Sequence, residues 1–145
     1  MNAVDVPGAT GSVNTDLNAK ARAALKALED HELVLLHVKG FDEASHDGNL
    51  EAKIQLIERV DGVLGPLVGA ADLVVLACDH ATPVTVREHT GDPVPVVIAG
   101  AGVRADDVQA YNERAVAKGG LGRIRGKELL PILADLMGKG KKFGA

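Results

Sequence analysis

Apolar and polar residues along this 145-residue chain fall into blocks with two rhythms. In "DLNAKARAALKALE", Asp16 to Glu29, alanines and leucines alternate with basic residues behind an aspartate suited to cap a helix. A helix is predicted there. "ELVLLHVK", Glu32 to Lys39, has an unbroken apolar centre, the mark of a strand buried on both faces in a parallel sheet. In "NLEAKIQLIERVDGVLGPLV", Leu50, Ile54, Ile57, Val60 and Leu64 recur at spacings of three and four. That spacing predicts a second helix with those residues on its core face. "ADLVVLACDH" and "PVPVVIAG" read as two further strands, and helices are expected over about 106–117 and 127–137.

Helices alternating with apolar strands define an α/β layer fold. The opening "MNAVDVPGATGSVNT" has turn chemistry and no core of its own. Residues 1–15 are therefore expected to be a connector from a preceding region, residues 16–138 the folded unit, and residues 139–145 a loosely held tail. The length suits one domain with a sizeable core.

Composition narrows the function. With two phenylalanines, one tyrosine and no tryptophan, the core must be aliphatic. A net charge of −4 gives no electrostatic footprint for nucleic acid, and the scarcity of aromatics argues against base stacking. No apolar run is long enough to span a bilayer, and no basic segment leads into an apolar one at the start. The single cysteine, Cys78, excludes an intrachain disulfide and fits a reducing, cytoplasmic setting; at the end of a strand it reads as a core residue.

Polar side chains collect where ligands bind in open α/β sheets, at the carboxyl ends of strands. Asp42 and His46 follow the first strand in the loop "FDEASHDG", Asp79 and His80 end the second, and His89 lies in the loop before the third. Mixed imidazole and carboxylate donors suit zinc, manganese or iron better than calcium. Each of these features alone also has a plain structural explanation. Asp47-Gly48-Asn49 reads as a turn, Asp79-His80 as a strand end, and His89 as a surface histidine. His31 is expected at an exposed strand start, and His37 as a hydrogen-bonded histidine within the core or behind the ligands. "GAGVRA" matches a dinucleotide glycine pattern but lacks the strand and ribose-binding acid that should follow, so a tight turn is the better reading. Ser12 and Ser45, the only serines, do not lie in a nucleophile-elbow pattern.

Two long stretches, "HVKGFDEASHDGNLEAKIQLIERVD" and "DHATPVTVREHTGDPVPVVIAG", resemble the archaeal-type cofactor-independent phosphoglycerate mutases, relatives of alkaline phosphatase. "GATGSVNTDLNAKARAAL" and "GRIRGKELLPILADLMGKGKKFGA" extend the resemblance from about Pro7 to Ala145. It implies the carboxyl-terminal half of an alkaline-phosphatase-like metal-binding domain. It also implies interconversion of 3-phosphoglycerate and 2-phosphoglycerate through a phosphoserine, with two divalent ions, manganese or zinc first and magnesium or cobalt as alternatives. Asp42, His46 and His89 would bind one ion, and Asp79 and His80 would supply half of the other site. The remaining aspartate and the nucleophilic serine belong to an amino-terminal half, needed in cis or in trans, that has no match here. The ending "KFGA" resembles the family's own terminus. Ser45 stands where the family usually has glycine, and Ala81 where it usually has serine; neither change removes a ligand. Two alternatives remain: a non-catalytic metal-binding or assembly half-domain that self-associates through an exposed sheet edge, or another phosphomutase or hydrolase of the same superfamily.

Overall fold

A computed structural model describes residues 1–140. The chain divides into two compact units, one formed by 1–71 with 80–92 and the other by 72–79 with the residues from 93 onward.

The first unit is helical. Helix α1, Leu17–Leu28, starts where expected, and the Asp16 carboxylate accepts the amide N–H of Ala19. Its buried residues, Leu17, Ala21 and Ala24, are spaced four and three apart. Two of the three are alanines, so α1 lies close against helix α3, Leu50–Ala70. Asn49 caps α3 through the Ala52 amide. Between them lies α2, Gly40–His46, which also packs on α3.

Four sequence expectations change here. The segment "FDEASH" is helical, not a loop. Its acids, Asp42 and Glu43, occupy the first turn and His46 the last, an arrangement that favours the helix dipole when the histidine is charged. The run 32–39 forms no helix and joins no strand ladder among the described residues. Val34, Leu36 and Val38 are half-buried, while Leu33 and Leu35 are 58% and 70% exposed. His37 is exposed as well; its backbone carbonyl accepts from the Lys20 ammonium at 2.8 Å. On α3 the buried residue is Leu56, whereas Leu50, Ile54 and Ile57 of the expected core face are exposed. A period of three to four identifies an apolar stripe but does not say what covers it.

Residues 7–15 are tied into this unit despite their turn-like composition. The Val13 amide donates to Glu43 Oε2 at 2.7 Å, and the Arg59 guanidinium donates to the carbonyls of Val13 and Thr15 at 2.7 and 3.0 Å. Thr15 is fully buried and accepts the Thr10 amide on Oγ1.

The second unit carries the sheet. Strands β1, Leu73–Ala77, and β2, Val96–Gly100, lie within the expected segments but pair antiparallel, with Val75 opposite Ile98. Apolar runs do not encode strand direction, and an antiparallel pair requires no crossover helix. Gly100, at φ +151°, is required by close approach, because a Cβ there would overlap the Asp72 carbonyl. Tyr111 donates its hydroxyl to the Pro95 carbonyl at 3.0 Å, and burial, with Cys78 nearby, pushes its phenol upward. Cys78 is exposed, not a core residue. The helix expected over 106–117 is reduced to α4, Glu113–Val116, while α5, Gly126–Leu136, matches its expectation closely. The end of the expected tail, 141–145, lies outside the described residues.

Asp106 explains the shortened helix. Its carboxylate accepts the amides of Val108 at 2.9 Å and Gly120 at 2.7 Å, closing a loop over residues that would otherwise extend α4. Those two bonds hold its carboxyl below the ordinary range. The depressed value means the loop bonds are intact above the unfolded carboxyl value of 3.8 and are lost as pH falls through the folded one. In an NMR pH titration the Gly120 and Val108 amide shifts are expected to move together with a midpoint below 3.8. A midpoint at or above that value would show that the loop does not close on Asp106.

Candidate metal centre

The polar cluster lies wholly within the first unit. Helix α2 supplies Asp42 and His46, four residues apart and hence on one helix face, with His46 Nε2 3.3 Å from Asp42 Oδ1. The segment following β1 supplies His80, and the loop beyond it supplies His89. His89 Nε2 lies 3.3 Å from Asp42 Oδ1 and 3.3 Å from His46 Nε2, so three potential ligand atoms form a nearly equilateral triangle. The rings of His80 and His89 stack with centroids 3.9 Å apart. Asp42, His80 and His89 can each offer a ligand atom within 4.8 Å of the others. Of the sequence candidates, Asp42, His46, His80 and His89 are thus brought together. Asp79 is exposed and belongs to the second unit.

Hydrogen bonds determine which ring nitrogen faces the cluster. His46 Nδ1 lies 2.9 Å from the Arg87 carbonyl, which can only accept, and 3.4 Å from Glu88 Oε1. The ring proton therefore sits on Nδ1, and Nε2 of the neutral ring presents its lone pair to Asp42 and His89. The Arg87 carbonyl reaches that position through an unusual backbone. Arg87 has φ +62°, in the left-handed region that is costly for a side chain with a Cβ. Opposite it, Gly48 has φ +69°, and a Cβ there would displace the Arg87 guanidinium.

Burial alone would raise the Asp42 carboxyl. The Thr82 hydroxyl, and the charge that His46, His80 and His89 carry when protonated, more than offset that, so Asp42 ionises below the ordinary carboxylate range. An anionic oxygen facing imidazole lone pairs is a donor set for a cation. Around a tetrahedral ion with ligands at about 2.0–2.1 Å, ligand atoms lie about 3.3–3.4 Å apart, the size of the triangle seen here. The residues present fit a divalent ion.

Comparison with known proteins agrees. The Metalloenzyme superfamily matches residues 1–136. The chain belongs to the metalloenzyme superfamily. Its fold is the α/β, alkaline-phosphatase-like class, and a solved Pyrococcus horikoshii structure superimposes with a TM-score of 0.95 at 45% identity, covering 99% of this chain and 45% of that one. The chain is 51% identical to the 2,3-bisphosphoglycerate-independent phosphoglycerate mutase 1 of Methanothermobacter thermautotrophicus, covering 100% of this chain and 36% of that protein. It is 50% identical to the corresponding mutase of Pyrococcus horikoshii, covering 95% of this chain and 34% of that protein. It therefore spans about a third of the length of the curated relatives it matches.

Three contributors to the cluster escaped the sequence reading: Thr82, Arg87 and Lys53. Thr82 had the clearest signal, a hydroxyl two residues beyond His80 and directly before a proline. Nothing in the residue pattern marks the left-handed backbone of Arg87. Lys53 lies within α3, where its charge reads as solvated; instead its ammonium donates to Ser45 Oγ at 2.7 Å and to the Thr82 carbonyl at 3.2 Å.

Proposed function

We propose that this chain is the metal-binding part of a 2,3-bisphosphoglycerate-independent phosphoglycerate mutase, acting on 3-phosphoglycerate and 2-phosphoglycerate through a serine carried on another stretch of polypeptide. The observation that carries this reading is the triangle of Asp42 Oδ1, His46 Nε2 and His89 Nε2 with 3.3 Å edges, in a chain about half identical to proteins of that name. Asp42, His46 and His89 hold one divalent ion, and His80, with Asp79, contributes to a second. Nitrogen and oxygen donors together favour zinc or manganese, with magnesium or cobalt as weaker alternatives. When bound, such ions activate a nucleophile and neutralise charge on a transferring phosphoryl group. The protein's own part is to orient the imidazoles through Nδ1 and keep Asp42 ionised.

Neither serine in the chain suits the nucleophile's role. Ser45 is fully buried inside α2, donating to the Phe41 carbonyl at 2.8 Å and accepting from Lys53. Ser12 hydrogen-bonds Thr10 Oγ1 at 3.1 Å in the opening loop. The partner is accordingly a polypeptide corresponding to the rest of the relatives' length, in cis or in trans. Exposed Leu33 and Leu35 on a segment that joins no ladder among the described residues favour that completion. They equally favour a second reading, a metal-holding half-domain that self-associates. This reading carries a cytoplasmic setting with it. Among the described residues no helix is long and apolar enough to cross a membrane.

The test combines the purified chain with manganese and the complementary polypeptide, following 3-phosphoglycerate by ³¹P NMR. No turnover by the chain alone and turnover by the mixture is the expected result. Turnover by the chain alone would refute the external nucleophile. An inactive mixture, shown by sedimentation to have formed a complex, would refute the mutase assignment and leave the assembly reading.

A further inference from the structure

We propose that Thr82 is a positioning residue that orients two ligands of the metal centre at once, Asp42 by donating to it and His80 by accepting from it. The inference rests on reading the cluster as a metal centre. Thr82 Oγ1 donates to Asp42 Oδ1 at 2.9 Å, and His80 Nδ1 lies 3.0 Å from the same Oγ1. A hydroxyl has one proton and two lone pairs. With that proton committed to the carboxylate, the contact to His80 must run the other way, from Nδ1–H to Oγ1. His80 is thereby held as the tautomer protonated on Nδ1, leaving the Nε2 lone pair for a cation. The oxygen that Thr82 grips is the one that His46 and His89 both face at 3.3 Å.

Thr82 is itself firmly placed. It is 7% exposed, and its carbonyl accepts from the Lys53 ammonium, whose other bond goes to the buried Ser45 hydroxyl. The preceding Ala81 forms a bridge with Thr90, whose amide donates to the Ala81 carbonyl at 2.9 Å. The following Pro83 restricts Thr82 to extended backbone. A hydroxyl held on both sides within the chain can aim a carboxylate and an imidazole without reorganising when a cation arrives. Partners of this kind typically alter metal affinity by about 10–100-fold.

The test uses Thr82→Val, which removes the hydroxyl while keeping the shape, and Thr82→Ser, which restores it. Zinc and manganese affinities are measured by competition with a chromophoric chelator. The His80 tautomer is read from ¹⁵N NMR of the metal-free protein. The expected result is affinity reduced about 10–100-fold in Thr82→Val, recovered in Thr82→Ser, with His80 protonated on Nδ1 in the wild type and losing that preference in Thr82→Val. Wild-type affinity in Thr82→Val would overturn the role of Thr82 while leaving the metal centre standing. If the wild type binds neither metal, the metal reading fails, and the tautomer alone then decides for Thr82. His80 protonated on Nε2 in the wild type would overturn the inference whatever the affinities.

Discussion

Replacing His46 by alanine is expected to lower zinc or manganese affinity by more than about 100-fold, because changing even a hydrogen-bond partner of a ligand costs about 10–100-fold. The substitution removes one corner of the 3.3 Å triangle and the ring whose Nδ1 is tethered to the Arg87 carbonyl. Its side effects on folding should be small. His46 is the last residue of α2, alanine is a better helix former, and the site is partly exposed. His37→Ala provides the control. That residue is exposed outside the cluster and should change affinity less than about twofold. Calorimetric titration of the metal-free proteins would check both. Equal affinities for the wild type and His46→Ala would mean that the four side chains form only an ion-pair and hydrogen-bond network, of the sort that perturbs a carboxylate without holding a metal.

The positions of the cluster residues were legible from polarity at the ends of apolar runs, because an unbroken apolar run makes the acids and histidines that follow it conspicuous. The geometry was not. "FDEASHDG" contains the residues of a turn, yet its first six, Phe41 to His46, lie within one short helix. The four-residue spacing of Asp42 and His46 places both on one face only because the segment is helical. The run 32–39, expected as a strand buried on both faces, joins no ladder among the described residues, because pairing depends on a neighbouring strand, which a single segment cannot reveal. The expected core stripe of α3 failed for a related reason. Leu50, Ile54 and Ile57 do share a face, but they are exposed, and the residue buried beneath the packed helices is Leu56, which lies off that stripe. Cys78 is exposed although its neighbours in sequence are apolar, because apolar neighbours in sequence do not ensure burial in space.

Leu56 is where the largest loss of stability is expected. It is 1% exposed, and its Cδ2 lies 2.9 Å from the place a Cβ would occupy on Gly40, the first residue of α2. Leu56→Ala removes buried methyl groups from beneath the helix that carries Asp42 and His46. Such truncations cost about 2–5 kcal/mol, the upper part of the range applying where surrounding backbone cannot collapse into the space. Here collapse is opposed from one side: the Ser12 carbonyl lies 2.8 Å from the same missing Cβ, and that loop is pinned by Glu43 and Arg59. Gly40→Ala produces the opposite fault, overpacking, and should cost about 1–3 kcal/mol. The double variant separates the two contacts. Losing Leu56 Cδ2 relieves the clash with a side chain, but the Ser12 carbonyl is backbone and remains in place. The pair should therefore be less destabilised than the sum of the single variants, yet clearly more than Leu56→Ala alone. Urea unfolding of all four proteins in the metal-free state would measure this. A cost under about 1 kcal/mol for Leu56→Ala, or full rescue of Gly40→Ala by it, would show that α2 is not seated on Leu56 and Ser12 as described. The position of the metal ligands would then have to be set from the His80–Thr90 side instead.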